Sequence, residues 1–356
     1  MNPLLKKAPT RILLLKAHSA GIGDILRSSA AWRVLKDQWP GAELHLCFFT
    51  IEPGYPSEEL IREHSLLSGF HVIDKRARNW GQWRRFWGEV NRVSDLVKPD
   101  LVIDFETNGI RLALVAGWVA LRTDAKSVGI SEFKGRGLVY SCSAPSRRQY
   151  AAEHGFSLPL EYTERDFVAL AALGLQRNGT AIEMQESAKG AVMRERLFSS
   201  LGLNPAVPIV GVNIGCATPG AEGKRPDNEM LSELLAGLQK DHGFQIVLTG
   251  AKFEREVNQA FLRVHEKKGL PKVFDLAGET DISGLTGVIR ASRLFISSDS
   301  GPYHMAVAMR VPTLCLFNFP TPPSYHVHPW VRCRIATSLN DVGGLRSDVE
   351  ELRLVK

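Results

Sequence analysis

Short, almost wholly apolar runs recur along this chain, each followed by a stretch long enough for a helix. They are Arg11–Lys16 (RILLLK), Glu43–Phe49 (ELHLCFF) and Leu101–Phe105 (LVIDF), then Pro208–Ile214 (PIVGVNI), Phe244–Thr249 (FQIVLT), Leu294–Ser297 (LFIS) and Thr313–Phe317 (TLCLF). A strand with one wet face alternates apolar and polar residues, whereas a continuous apolar run fits a strand covered on both faces. Helices must do the covering. The candidates are Asp24 to about Trp39, closed by Pro40-Gly41, then Asn228–Asp241, Glu254–Lys267 and a run that begins after Pro302. The pattern predicts an α/β protein with parallel sheets.

The series restarts near residue 207, after a polar, glycine-containing stretch at Gln176–Gly190. We therefore expect two Rossmann-like domains, 1–185 and 186–356, a division that suits a chain of 356 residues. Ligands of such sheets bind outside the carboxyl ends of the strands, and a central cleft between two such domains is a natural nucleotide-substrate site.

Composition removes several classes. Five scattered cysteines without a Cys-x-x-Cys pair argue against a disulfide framework or a zinc site and fit a reducing compartment. The four apolar residues Ile12–Leu15 are too few for a signal peptide. The longest apolar stretch, Leu112–Leu121, is half of the roughly 20 residues a spanning helix needs. The expectation is a cytoplasmic protein, with contact at the inner face of the membrane left open. Net charge is +6, and residues 1–200 carry 27 basic against 22 acidic side chains, so an anionic partner would meet the first half.

Three turns carry candidate chemistry. Gly21-Ile22-Gly23-Asp24 joins the first strand to the first helix. Asp24 there is either a helix cap or a carboxylate held by backbone N–H groups for reaction. A dinucleotide fingerprint fits poorly, because Leu26 stands at the third glycine position. Ser297-Ser298-Asp299-Ser300-Gly301-Pro302-Tyr303-His304 joins a strand to a helix, with Gly301 and Pro302 suited to the turn. Free N–H groups at that helix start suit a diphosphate, and His304 lies in the first turn. In the loop from Gly215 to Pro226, Lys224 can meet a phosphate as a point charge.

Other patterns are weaker or missing. No Asp-x-Asp pair, GxxxxGK[ST] loop, HExxH or G-x-S-x-G is present, and His326-x-His328 lacks a neighbouring carboxylate or thiol for a metal. The run Lys75–Trp87 carries five basic residues and three tryptophans. It reads either as a helix that packs its Trp stripe on the core or as a surface for an anionic lipid or glycolipid. Nucleic acid is the less attractive partner.

Together, the Ile-Gly-Asp turn, Leu101–Phe105, Tyr162–Gly174, Leu276-Ala277-Gly278 and the Asp-Ser-Gly-x-x-His of Asp299–His304 resemble glycosyltransferase family 9, the ADP-heptose:lipopolysaccharide heptosyltransferases. The resemblance implies a GT-B fold, with the acceptor on the N-terminal domain and the nucleotide sugar on the C-terminal one. It implies an inverting, metal-independent glycosyltransferase with no cofactor beyond its nucleotide-sugar substrate, an ADP-linked heptose by default. Asp24 would be the general base, flanked by Gly21 and Gly23 on the acceptor side, and Lys224 would stabilise the diphosphate. Asp299, Ser300, Gly301 and His304 would hold the donor, with Gly278 and Thr280 near its base. The acceptor would be a lipopolysaccharide core or another cell-surface glycan.

This chain departs from the family pattern in several places. Ala20-Gly21 replaces two serines, and Lys224-Arg225-Pro226 lacks a Trp. Lys252 stands where Glu is common, and Asn318-Phe319-Pro320-Thr321-Pro322 replaces Gly-Pro-Thr-Asp-Pro. A nucleotide-sugar epimerase or hydrolase, or a non-catalytic binding relative, is the alternative.

Overall fold

The computed structural model describes residues 5, 7–17, 21–216 and 222–353. Two compact units divide the chain, Met1–Ile182 and Glu183–Lys356. Among the described residues, the first holds six strands: β1 (Arg11–Ala17), β2 (Glu43–Thr50), β3 (Gly69–Asp74), β4 (Leu101–Asp104), β5 (Lys126–Ile130) and β6 (Cys142–Ala144). They lie in the order β3-β2-β1-β4-β5-β6, every pair parallel.

The second unit repeats the plan with β7 (Ile209–Asn213), β8 (Gln245–Thr249), β9 (Phe274–Asp275), β10 (Ser292–Ser298), β11 (Thr313–Phe317) and β12 (Val331–Ile335). Its order, β9-β8-β7-β10-β11-β12, is that of the first sheet, again all parallel. Strand order reverses between β1 and β4, and between β7 and β10. At such a switch point the connections leave toward opposite faces and open a crevice at the strands' carboxyl ends.

Burial on both faces explains the apolar runs. Leu13 and Leu15 of β1 pack with Val102 against Phe86, Val90 and Val93 of the helix Trp80–Val97, and against Leu112, Val115 and Val119 of the helix Arg111–Thr123. The alternate residues Ile12 and Leu14 are fully buried as well, on the opposite face. In the second unit Val210, Val212, Leu294, Ile296, Leu314 and Leu316 share a core with Met230, Leu234, Phe261 and Leu345. The helices Ala188–Ser199 and Ile282–Ala291 meet backbone to backbone: a Cβ on Gly287 would lie 1.9 Å from the Gly190 carbonyl oxygen. Among the described residues, no helix is long and apolar enough to cross a membrane.

Two local readings need correction. The helical run expected over Asp24–Trp39 is two helices, Ile22–Leu26 and Ser29–Gln38, with Ser28 as cap of the second. Asp24 is not the helix cap: that position belongs to Gly21, and Asp24 lies in the first turn.

Candidate active site

The β7/β10 switch point gathers most of the C-terminal candidates. Lys224 ends a short 3-10 turn, Glu222–Lys224, and its Nζ donates to Asp299 Oδ2 at 2.8 Å. Asp299 follows directly on β10 and is buried, whereas Lys224 keeps about a third of its side chain exposed. Residues 217–221 of the same loop lie outside the described residues.

Hydroxyls lace the strand ends together beneath this pair. Ser300 Oγ donates to Asn213 Oδ1 at 3.1 Å and lies 3.2 Å from Ser297 Oγ. Ser298 Oγ donates to the Gly215 carbonyl at 2.9 Å. Ser300 is the N-cap of the helix Gly301–Ala308, with Pro302 in its first turn, yet its side chain makes no capping bond. Because that hydroxyl turns back toward β7, it does not occupy the helix N–H groups that an anion would use.

His304 is brought to the same turn but is 4% exposed. Its Nδ1 lies 2.9 Å from Nε2 of the buried His326, whose backbone N–H donates to Tyr303 Oη at 3.0 Å. His328 stacks on Trp330 with ring centroids 4.6 Å apart. Among the described residues, no group of three or more His, Cys, Asp or Glu side chains could hold a metal ion.

Gly278 and Thr280 stand further along the carboxyl edge, beyond β9. The Gly278 N–H donates to the Gly250 carbonyl at 2.8 Å after β8. Gly278 has φ +77°, and a Cβ there would lie 3.0 Å from Lys252 Cα, so both its backbone and its surroundings require glycine. Thr280 precedes Asp281, the cap of the helix Ile282–Ala291. Sequence reasoning missed Glu254, a buried carboxylate that accepts the Ala251 N–H at 2.7 Å and presses against Gly215 and Gly250. Burial raises its pKa. Its proximity to Lys252 in sequence was the available signal.

In the first unit, Asp24 and the half-helix that carries it follow β1, with residues 18–20 outside the described set. The Asp24 side chain is 26% exposed, with Arg27 Nη1 3.7 Å from Oδ1. Gly21 is in ordinary extended geometry, and a Cβ there would meet Asp24 Oδ2 at 3.4 Å. Gly23 is helical and buried. Arg27 in turn lies over the Tyr162 ring, 4.3 Å from its centroid, and Arg165 lies 4.2 Å from the same centroid. Burial, with Arg147 and Arg27 nearby, lowers the Arg165 pKa. The loop after β4 is pinned by the fully buried Arg136, which donates to Asp104 Oδ2 at 2.9 Å and to the carbonyls of Glu106, Thr107 and Gly109.

The helical part of Lys75–Trp87 packs on the core as the first of the two readings expects. Phe86 and Val90 are buried and Trp83 and Trp87 pack partly on the core, while Trp80 is 83% exposed. Arg76, Arg78, Gln82 and Arg85 line a cavity of about 430 Å³ with Asp74 and Glu89.

A lipopolysaccharide heptosyltransferase 2 of Salmonella typhimurium is 28% identical over 132 residues, which cover 36% of this chain and 36% of that protein. The match thus spans about a third of that relative's length. Among solved structures, a glycosyl transferase family 9 protein from Veillonella parvula aligns with TM-score 0.69 at 18% identity, over 95% of this chain and 88% of that one. An Escherichia coli ADP-heptose lipopolysaccharide heptosyltransferase II aligns with TM-score 0.65 at 21% identity, over 96% and 98%. These likenesses identify the two-unit fold as GT-B. The sequence profile described as glycosyltransferase family 9 (heptosyltransferase) matches residues 164–343, just over half of the 356, and the chain belongs to that family.

Proposed function

We propose that this protein is an inverting glycosyltransferase that moves a sugar, by default heptose from ADP-heptose, to a hydroxyl of a lipopolysaccharide core. The observation that carries the reading is the Lys224–Asp299 pair, set at a switch point beside a helix start whose N-cap side chain turns away. Family membership supports it.

In the proposed reaction the acceptor oxygen bonds to the anomeric carbon as the bond from that carbon to the diphosphate breaks. The electron pair leaves on the nucleoside diphosphate, and the hydroxyl proton passes to the Asp24 carboxylate. General-base help of this kind contributes roughly 10²–10⁴-fold in rate. Lys224 and the N–H groups at the start of Gly301–Ala308 take up the charge of the leaving diphosphate, so the reading assigns the reaction no metal. Arg27 and Arg165 favour an anionic acceptor beside Asp24. The exposed Trp80 and the nearby arginines suit the membrane face where a glycolipid acceptor resides. On this reading the enzyme works in the cytoplasm, at the inner face of the membrane.

Calorimetric titration with ADP, UDP, GDP and CMP tests the donor half. The reading predicts a preference for ADP that Lys224→Ala weakens by about 10-fold, the size of one charge-assisted contact. Preference for another nucleotide would replace the donor, and failure to bind any of the four would overturn the reading.

A further inference from the structure

The segment that leaves β11 reaches back to the lysine. Asn318 is the first residue after that strand, and its Nδ2 donates to the carbonyl oxygens of Gly223 and Arg225, each at 2.7 Å. These two carbonyls bracket Lys224 in sequence. One side chain thus holds the main chain just before the lysine and one residue after it, while Asp299 holds its ammonium at 2.8 Å.

The chemistry suits the task. A carboxamide NH₂ carries two donors, one for each carbonyl, on a short neutral stem. The amide orientation is fixed by its surroundings, because the flipped form would set Oδ1 against two carbonyl oxygens. Oδ1 itself is buried with no hydrogen-bond partner among the described residues, so the side chain is oriented for its donors. The lysine needs such help. No residue of its turn, Glu222–Lys224, is buried, and packing does not fix that segment. A flexible four-carbon stem on an unanchored loop loses its aim, and aim is what positions charge against a reacting group.

We propose that Asn318 is a positioning residue for Lys224, fixing the peptide from which the ammonium reaches the donor diphosphate. The inference rests on the donor-binding role given to Lys224 above. Asn318 acts through that lysine, so its effect on nucleotide binding must vanish once the lysine is gone.

A double-mutant cycle read by ADP titration tests this, with unfolding midpoints recorded for every variant. Asn318→Ala is expected to weaken ADP binding by about 5–10-fold, the scale of two backbone hydrogen bonds lost near a charge. Asn318→Asp, which sets a carboxylate against two carbonyls, is expected to weaken it at least as much. Asn318→Ala combined with Lys224→Ala is expected to bind ADP as Lys224→Ala does. ADP affinity within twofold of wild type in Asn318→Ala, or losses that multiply in the double variant, would overturn the proposal. If Asn318→Ala fails to fold, Asn318→Ser keeps one donor and is expected to bind with intermediate affinity, and wild-type affinity there would contradict it. If Lys224→Ala alone binds ADP like wild type, the role of the lysine fails and this proposal falls with it. If Lys224→Ala is weakened and Asn318→Ala is not, only the positioning role fails.

Discussion

Lys224 Nζ and Asp299 Oδ2 lie 2.8 Å apart although 75 residues separate them in the chain. The carboxylate is buried and the ammonium is partly exposed, so the acid acts as the fixed point and the lysine as the reaching group. Asp299→Asn keeps the shape and removes the charge. We predict that ADP affinity falls about 5–10-fold, as for Asn318→Ala, and kcat for transfer at least about 10-fold, because the ammonium stays present but loses its aim. Unchanged kcat would contradict this.

Tyr162 lies between two guanidiniums, with Arg27 4.3 Å and Arg165 4.2 Å from its ring centroid. Removing the ring abolishes two cation–π contacts, one of them to the buried Arg27, and leaves two like charges without the ring between them. Tyr162→Ala should lower the unfolding free energy by about 2–3 kcal/mol in urea titration, and Tyr162→Phe by less than about 1 kcal/mol. Equal losses in the two variants would assign the effect to the hydroxyl instead.

His71 stacks on His45 with ring centroids 5.6 Å apart. Burial, helped by His45, Arg92 and Arg62, lowers its pKa to about 4. The unfolded chain therefore binds a proton that the folded chain refuses. Stability from this residue is fully present above about pH 6.5 and is lost as pH falls toward 4. Unfolding midpoints measured between pH 7 and pH 4 should drop less steeply in His71→Gln than in wild type. Parallel curves would refute the assignment.

Gly287 faces the Gly190 carbonyl oxygen so closely that a Cβ would sit 1.9 Å from it. The obstacle is backbone, so relief requires the two helices to part. Gly287→Ala should cost about 1–3 kcal/mol of stability, the usual scale of overpacking. Gly343→Ala, where a Cβ meets nothing within 4 Å, is the control.

Most of the central strands were legible in sequence because burial on both faces leaves an unbroken apolar run. β3, β6, β9 and β12 were not, and all four are sheet edges. An edge meets water, and the arginines of β12 (VRCRI) hide its period. β5 escaped for another reason: Ser127 and Gly129 interrupt its run, the glycine because the Tyr140 ring presses against it. The candidate site was partly legible as a set of turns. Asp24, Lys224 and Asp299 stand at strand-to-helix turns, where local rules apply. Arg27 with Tyr162 and Arg165, and the buried Lys16–Asp166 pair at 2.8 Å, join segments more than 130 residues apart. No local pattern marks such partners. Asn318 looked like a departure from a motif until its amide was seen to hold the lysine's turn.

The central claim is transfer with Asp24 as base. It is tested by incubating the protein with ADP-heptose and a heptose-deficient lipopolysaccharide core, following ADP release and acceptor mass for wild type and Asp24→Asn. The account predicts a heptosylated acceptor with wild type, a rate lower by at least about 10²-fold with Asp24→Asn, and ADP binding unchanged between the two. Turnover at the wild-type rate in Asp24→Asn would contradict the role of Asp24, and ADP release without a heptosylated acceptor would contradict the transferase itself.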